Sequence, residues 1–404
     1  MIETTLGWTV HSRSWLRHIE QQLSDETKRG VRDELGVLAI HTAFADRFFP
    51  GTSVQQTRLR YVLFVPWIYE WLGDQELEQG FHQELPRAEV RLVKQLSRSA
   101  ENGVIGETIY PRPAVQPPSA IYWTAIRIWG LLRPFEGGYL SRRGVHQVLA
   151  YGDRAGTLRD DDGEPIGREV RPFYDDLPEP PPGFLDASKP LDFRLTTEER
   201  TFLRDRLMAV QRESDAMPTL FAHLAEKPDV AGECTEAWDP RIRSVADPAD
   251  RTALTIARRA SHLAGVVRAA YAALVETVRE KDGFGSEHEH RQRLEIVRAE
   301  SEKAATSLEL NVLLEFMPGW GNDGLFRTLE ATQNWLKAGV AGPLEDLRPV
   351  YAAQEAARKG VRARLPDTAA ARERRVEWDF PEQHRLDYRW SHVKTFLADL
   401  AADV

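Results

Sequence analysis

The sequence predicts a mainly α protein: two helical domains joined by a proline- and aspartate-rich linker, with at most minor β-hairpins. Three observations carry this. From Asp250 to Lys281, Ile256, Ala260, Leu263, Val267, Tyr271, Leu274 and Val278 recur at spacings of three and four, the period of one buried helix face. No sustained alternation of the kind a large sheet requires is found, and no internal repeat. Composition shifts after Tyr151: Arg159 to Glu164 is acidic around an Asp162-Gly163 turn signal, and Pro178, Pro180, Pro181 and Pro182 precede Gly183. The N-terminal domain is therefore placed at 1–151, the linker or extended segment at 152–192 and the C-terminal domain at 193–404.

Each element follows from local chemistry. Ser12 or Ser14 is placed to cap a helix through Gln22. Asp33 to Phe49 sets Val37, Ile40, Phe44 and Phe48 on one helical face, and Pro50-Gly51 stops it. Thr52 or Ser53 is then expected to cap a helix towards Leu72 that Pro66 kinks or divides. A helix from about Pro86 to Ser99 carries Val90, Val93 and Leu96. Gly103-Val104-Ile105-Gly106 is a turn-bounded apolar pair, followed by a proline-rich connection from Pro111 to Pro118. Ser119 is expected to cap a helix over Ala120 to Leu132, and Gly138 to Tyr151 forms another. Thr196-Thr197-Glu198-Glu199 reads as a helix N-terminus with acid in its first turn. Asp282-Gly283 ends the long helix. A charged helix follows from about Glu287, another spans Leu325 to Leu336, and Ser391 is placed to cap a last amphipathic one with Val393, Phe396, Leu397 and Leu400.

At 404 residues the chain is long enough for two or three domains. Its net charge of -9 gives no global basic field for nucleic acid, so any such contact must be local. The single cysteine, Cys234, excludes a disulfide framework within the chain, and its acidic or neutral neighbours would not activate a thiol. The longest apolar run, Tyr61 to Tyr69, falls far short of the roughly 20 residues a bilayer span needs. With no secretory signal pattern at the N-terminus, the expectation is a cytoplasmic protein with no membrane contact.

Candidate chemistry is sparse. Gly51-Thr52-Ser53 opening a helix would offer N–H groups and a dipole to an anion, with Arg58 and Arg60 one to two turns on. An ordinary cap with arginines paired to neighbouring acids explains the same residues. Arg58 and Arg60 are two apart, so they leave a helix on different faces. Tyr122, Trp123 and Trp129 suit a partner interface or a buried core, and with them Arg127, Arg133, Arg142 and Arg143 form the main basic patch for phosphates, or a solvated face. Glu287-His288-Glu289-His290 has the wrong spacing for a helical metal site, and the Asp160–Asp162 cluster lacks a calcium loop's pattern. His11, His18, His41 and His146 are isolated, and no P-loop, Gly-x-Ser-x-Gly or kinase motif is present. No metal site, cofactor or catalytic residue is assigned.

Several stretches carry a resemblance: Asp33-Glu34-Leu35-Gly36; Phe49-Pro50-Gly51-Thr52-Ser53; Gln56-Thr57-Arg58-Leu59-Arg60-Tyr61, running on through Leu63 to Tyr69; Gly103 to Gly106; Pro118 to Trp123; and Leu386-Asp387-Tyr388-Arg389-Trp390. Through them the chain resembles an uncharacterised bacterial domain-of-unknown-function family associated with anti-phage defence islands. The resemblance implies gene-cluster neighbours such as helicases and phospholipase-D-like nucleases, and no catalytic position.

The expected function is a non-enzymatic accessory subunit of such a system that binds a helicase or nuclease partner and also, on one version of this reading, DNA. A nucleotide- or nucleic-acid-processing enzyme with its site at the Gly51–Arg60 helix start, and a stand-alone DNA-binding module, are the alternatives.

Overall fold

A computed structural model describes residues 33–75, 77, 80–135, 138–155, 171–285, 289–317, 323–339, 342–376, 378 and 385–402. The expected first helix and the acidic turn at 160–162 lie outside these residues, as do His11, His18, Glu287 and His288. Among the described residues are sixteen α-helices. They are α1 (Leu38–Phe48), α2 (Tyr61–Gly73), α3 (Phe81–Leu96), α4 (Pro118–Ile121), α5 (Trp123–Ile128), α6 (Arg142–Ala155), α7 (Thr197–Met208), α8 (Leu220–Glu226), α9 (Pro240–Val245), α10 (Pro248–Lys281), α11 (His290–Thr306), α12 (Leu310–Glu315), α13 (Asp323–Lys337), α14 (Arg348–Lys359), α15 (Ala369–Val376) and α16 (Trp390–Ala401). One antiparallel hairpin, β1 (Pro134–Phe135) with β2 (Gly138–Tyr139), is the whole of the sheet structure described. The fold is mainly α.

The chain divides into two compact units, and neither is continuous in sequence. The larger comprises residues 40–261, 311–317 and 386–404; the smaller comprises 1–39, 262–310 and 318–385. This differs from the division expected at 152–192. The described part of that segment belongs to the larger unit: Trp67 Nε1 donates to Pro178 O at 2.6 Å, and Gln95 Nε2 donates to Gly183 O and Asp186 O at 2.9 and 2.8 Å. Proline-rich composition marked an extended segment, but side chains from α2 and α3 bind its backbone.

In the larger unit α2 is the core. Every residue from Tyr61 to Tyr69 is buried, as suits a helix apolar on all sides. Pro66 lies within it without dividing it. Against α2 pack α3, α4 and α6. α3 is two-faced, burying Leu85, Ala88, Leu92 and Leu96. The expected continuous helix after Ser119 is broken at Tyr122, giving α4 and α5, and Pro118 rather than Ser119 starts it. Thr196 caps α7 in a full capping box with Glu199. α16 packs on α8, burying Val393, Phe396, Leu397 and Leu400. Its N-terminus is set by Arg389, in the left-handed conformation, not by Ser391, whose hydroxyl bonds Asp387 instead.

The smaller unit is built on the second half of α10 with α11, α13, α14 and α15. α13 packs on α11 and α14. Buried polar groups fix it: Tyr271 OH donates to Glu355 Oε1 at 2.5 Å, Leu365 N donates to Glu355 Oε2 at 2.9 Å, and Gln333 Nε2 donates to Ala305 O and Leu308 O. The periodic face read from Ile256 to Val278 is buried throughout.

Candidate functional site

The motif segment from Phe49 to Tyr61 begins with turns and enters a helix only at Tyr61. The reason is Gln56. Its Oε1 accepts from Ser53 N at 3.0 Å and its Nε2 donates to Gly51 O at 3.1 Å, so the side chain takes the backbone groups a helix would have paired. Thr52 Oγ1 donates back to Phe49 O at 2.6 Å and does not cap. Gly51 has φ +85° with the Trp129 indole against it, and Trp129 Nε1 donates to Pro50 O at 2.9 Å. The helix start expected at Thr52 and Ser53, with its N–H groups aimed at an anion, is therefore not formed.

The two arginines diverge, as their spacing requires, and both end on acids. Arg60 is buried; its Nη2 meets Glu199 Oε1 at 2.6 Å and its Nη1 meets Asp192 Oδ1 at 3.2 Å. Arg58 Nη2 meets Asp399 Oδ1 at 2.8 Å, and its guanidinium lies 4.5 Å from the Phe193 ring centroid. Tyr122 OH accepts from Thr57 N and Arg58 N and donates to Arg58 O, all within 3.1 Å. From the other end of the chain, Arg389 Nη1 donates to Thr52 O and to Asp46, and His392 Nδ1 contacts Gln56 O at 2.8 Å. The segments that carry the resemblance, Asp33–Gly36 apart, thus clasp one another.

Tyr122 and Trp129 are buried, and Trp123 is half-buried with its ring 5.5 Å from Tyr69. Burial removes Tyr122 and Trp129 from any partner surface. Of the four arginines read as a patch, Arg127 and Arg143 are exposed, while Arg133 is ion-paired to Asp175. Arg142 acts electrostatically on Tyr69, Glu89 and His146. Cys234 is buried, and burial pushes its thiol up.

A polar centre that sequence reading missed lies between α2, α3, α4 and α6. Glu89 is 5% exposed, and its Oε1 accepts from Ser119 N at 3.0 Å. Burial pushes its carboxyl up to about 7, against the pull of Ser119 and Arg142. The hydroxyl of Tyr69 and Nε2 of His146 are 3.0 Å apart, and burial, with Arg142 and His82, pulls that imidazole down to about 4. Below about pH 7 and above about pH 4 the group holds a proton at Glu89 and none on His146. The available signal was one acid in register with Leu85 and Val93 on the apolar face of α3.

Beyond the clasp, residues 106–117 form a loop held at both ends. Thr57 Oγ1 donates to Gly103 O at 2.7 Å, Ile105 N donates to Tyr61 OH at 2.9 Å, and Ser119 N is taken by Glu89. Gly106, at φ +90°, lets the loop close on Ala114: an added Cβ would stand 3.3 Å from that residue's Cβ. The loop keeps its ends together yet turns Tyr110 and Val115 out, at 43% and 92% exposure, between Pro111, Arg112 and Pro113.

The chain belongs to the family of unknown function DUF6361, whose model matches residues 6–404. No curated protein and no solved structure matches it. Among the described residues no helix is long and apolar enough to cross a membrane, and no cluster of three or more His, Cys, Asp or Glu is placed to hold a metal.

Proposed function

We propose that this DUF6361 member is a non-enzymatic helical subunit of a bacterial anti-phage defence system, acting in the cytoplasm and docking a helicase or phospholipase-D-like nuclease encoded beside it. The observation that carries this reading is the pinned loop at 106–117. A segment with a loose loop's composition is anchored at both ends by hydrogen bonds, part-buried at one end and buried at the other, and it presents an aromatic and an aliphatic side chain to water. Ordered, proline-stiffened segments of this kind bind apolar grooves at low entropic cost. Arg58, Arg60 and Thr52, which an anion-binding enzyme site would need, are committed to internal partners.

The test is co-purification of the tagged protein from its native gene cluster, followed by mass spectrometry. A stoichiometric helicase or nuclease should accompany the wild type and be lost from Tyr110→Ala/Val115→Asp, with thermal unfolding unchanged. A protein that comes out alone, or a partner retained by that variant, would overturn the reading.

A further inference from the structure

α3 carries a second pattern on the face opposite its core contacts. Arg87, Arg91 and Lys94 on the helix, and Arg98 in the turn that follows, recur at spacings of four, three and four. All four are exposed. At 1.5 Å rise per residue they form a line of cations about 17 Å long on one side of the helix. We propose that this ridge binds the phosphodiester backbone of nucleic acid.

Three observations favour that occupant. First, the middle of the ridge retains its charge. Towards its ends Arg87 pairs with Glu84 at 2.6 Å, and Arg98 Nη1 donates to Ser188 O at 3.3 Å. Lys94 and Arg91 have no ion pair among the described residues. Second, the charges repeat along a line, which suits a polyanion better than a single anion. An aromatic lies beside them: the Arg91 guanidinium is 5.6 Å from the ring centroid of half-buried Trp71, the arginine–aromatic pairing that single-strand binders use. Third, an acidic protein partner would want an apolar anchor at the centre of its footprint. None of the large exposed hydrophobic residues among those described lies between Phe81 and Ala100. Backbone contacts of this kind carry no base readout, so binding is sequence-tolerant.

The inference does not rest on the partner-docking reading, since α3's ridge and the 106–117 loop are separate features with separate variants. The test is fluorescence anisotropy of the full chain with labelled single-stranded and duplex DNA of about 20 nucleotides, across a salt series. Four phosphate contacts on duplex give a slope of log K against log salt of about -3 to -4. Arg91→Glu/Lys94→Glu should weaken binding about tenfold or more and flatten the slope by about 2, with unchanged circular dichroism and thermal unfolding. Arg127→Glu/Arg143→Glu should leave both unchanged. No binding of either oligonucleotide at low salt would overturn the proposal, as would loss confined to the Arg127/Arg143 variant. Equal displacement by poly-glutamate of matched charge would assign the ridge to an acidic protein and overturn it too.

Discussion

Arg60 and Glu199 form a buried ion pair at 2.6 Å that welds the end of the motif segment to the first turn of α7. Glu199 does two jobs: its Oε2 accepts from Thr196 N in the capping box while its Oε1 takes the guanidinium. Removing one charge strands the other. Arg60→Met should destabilise the fold by about 3–5 kcal/mol, and Glu199→Gln, which keeps the cap, should be similarly costly. In urea unfolding the double variant should lose less than the sum of the two.

Gly51→Ala is a sharper test of the clasp. The added methyl would stand 2.5 Å from Trp129 Nε1, and the φ of +85° is unfavourable for any other residue. Trp129 must then move and lose its hydrogen bond to Pro50 O. A loss of about 2 kcal/mol or more is expected, with a change in tryptophan emission from the displaced indole.

Tyr122→Phe keeps the ring and removes one oxygen. That oxygen takes two backbone N–H groups and gives one hydrogen bond. The expected cost is roughly 2–3 kcal/mol in denaturant unfolding, with faster hydrogen exchange at Thr57 and Arg58.

Glu89 makes stability depend on pH. Its folded carboxyl titrates near 7, above the unfolded value of 4.5, so the native state holds the proton more tightly. The stability this gives is full below about pH 4.5 and is lost as pH rises through 7, an effect of about 3 kcal/mol for a shift of this size. His146 works in the opposite sense: it is pulled down to about 4 from 6.5, and its contribution is present above 6.5 and lost as pH falls through 4. Glu89→Gln, whose side-chain oxygen can still accept from Ser119 N, should therefore be more stable than wild type at pH 8 and not at pH 4. Thermal unfolding at the two pH values checks this.

Local rules exposed a good part of this in the sequence. Thr196 caps as expected because Glu199 sits three residues on. The face from Ile256 to Val278 is buried because nothing in α10 interrupts its period. Where reading failed, a distant or competing partner decided the outcome. Thr52 looked like a cap, but Gln56 takes the adjacent backbone groups through its side chain. Arg58 and Arg60 looked like anion ligands because Asp399 and Glu199 are 341 and 139 residues away. Tyr122 interrupts its helix with a hydroxyl turned to Thr57 and Arg58. The ridge on α3 went unread, although its spacing of four, three and four is the same period sought among apolar residues, there written in charge.

The interleaving of the two units has a consequence for synthesis. Asp399, Trp390 and Arg389 complete the surroundings of residues 46–59, yet the ribosome makes them more than 300 residues later. The clasp around residues 46–59 cannot close until Arg389 and α16 have been made. A chain that stops before Arg389 lacks the last clamps on its motif segment and is a natural substrate for proteolysis, not a slightly shortened working copy.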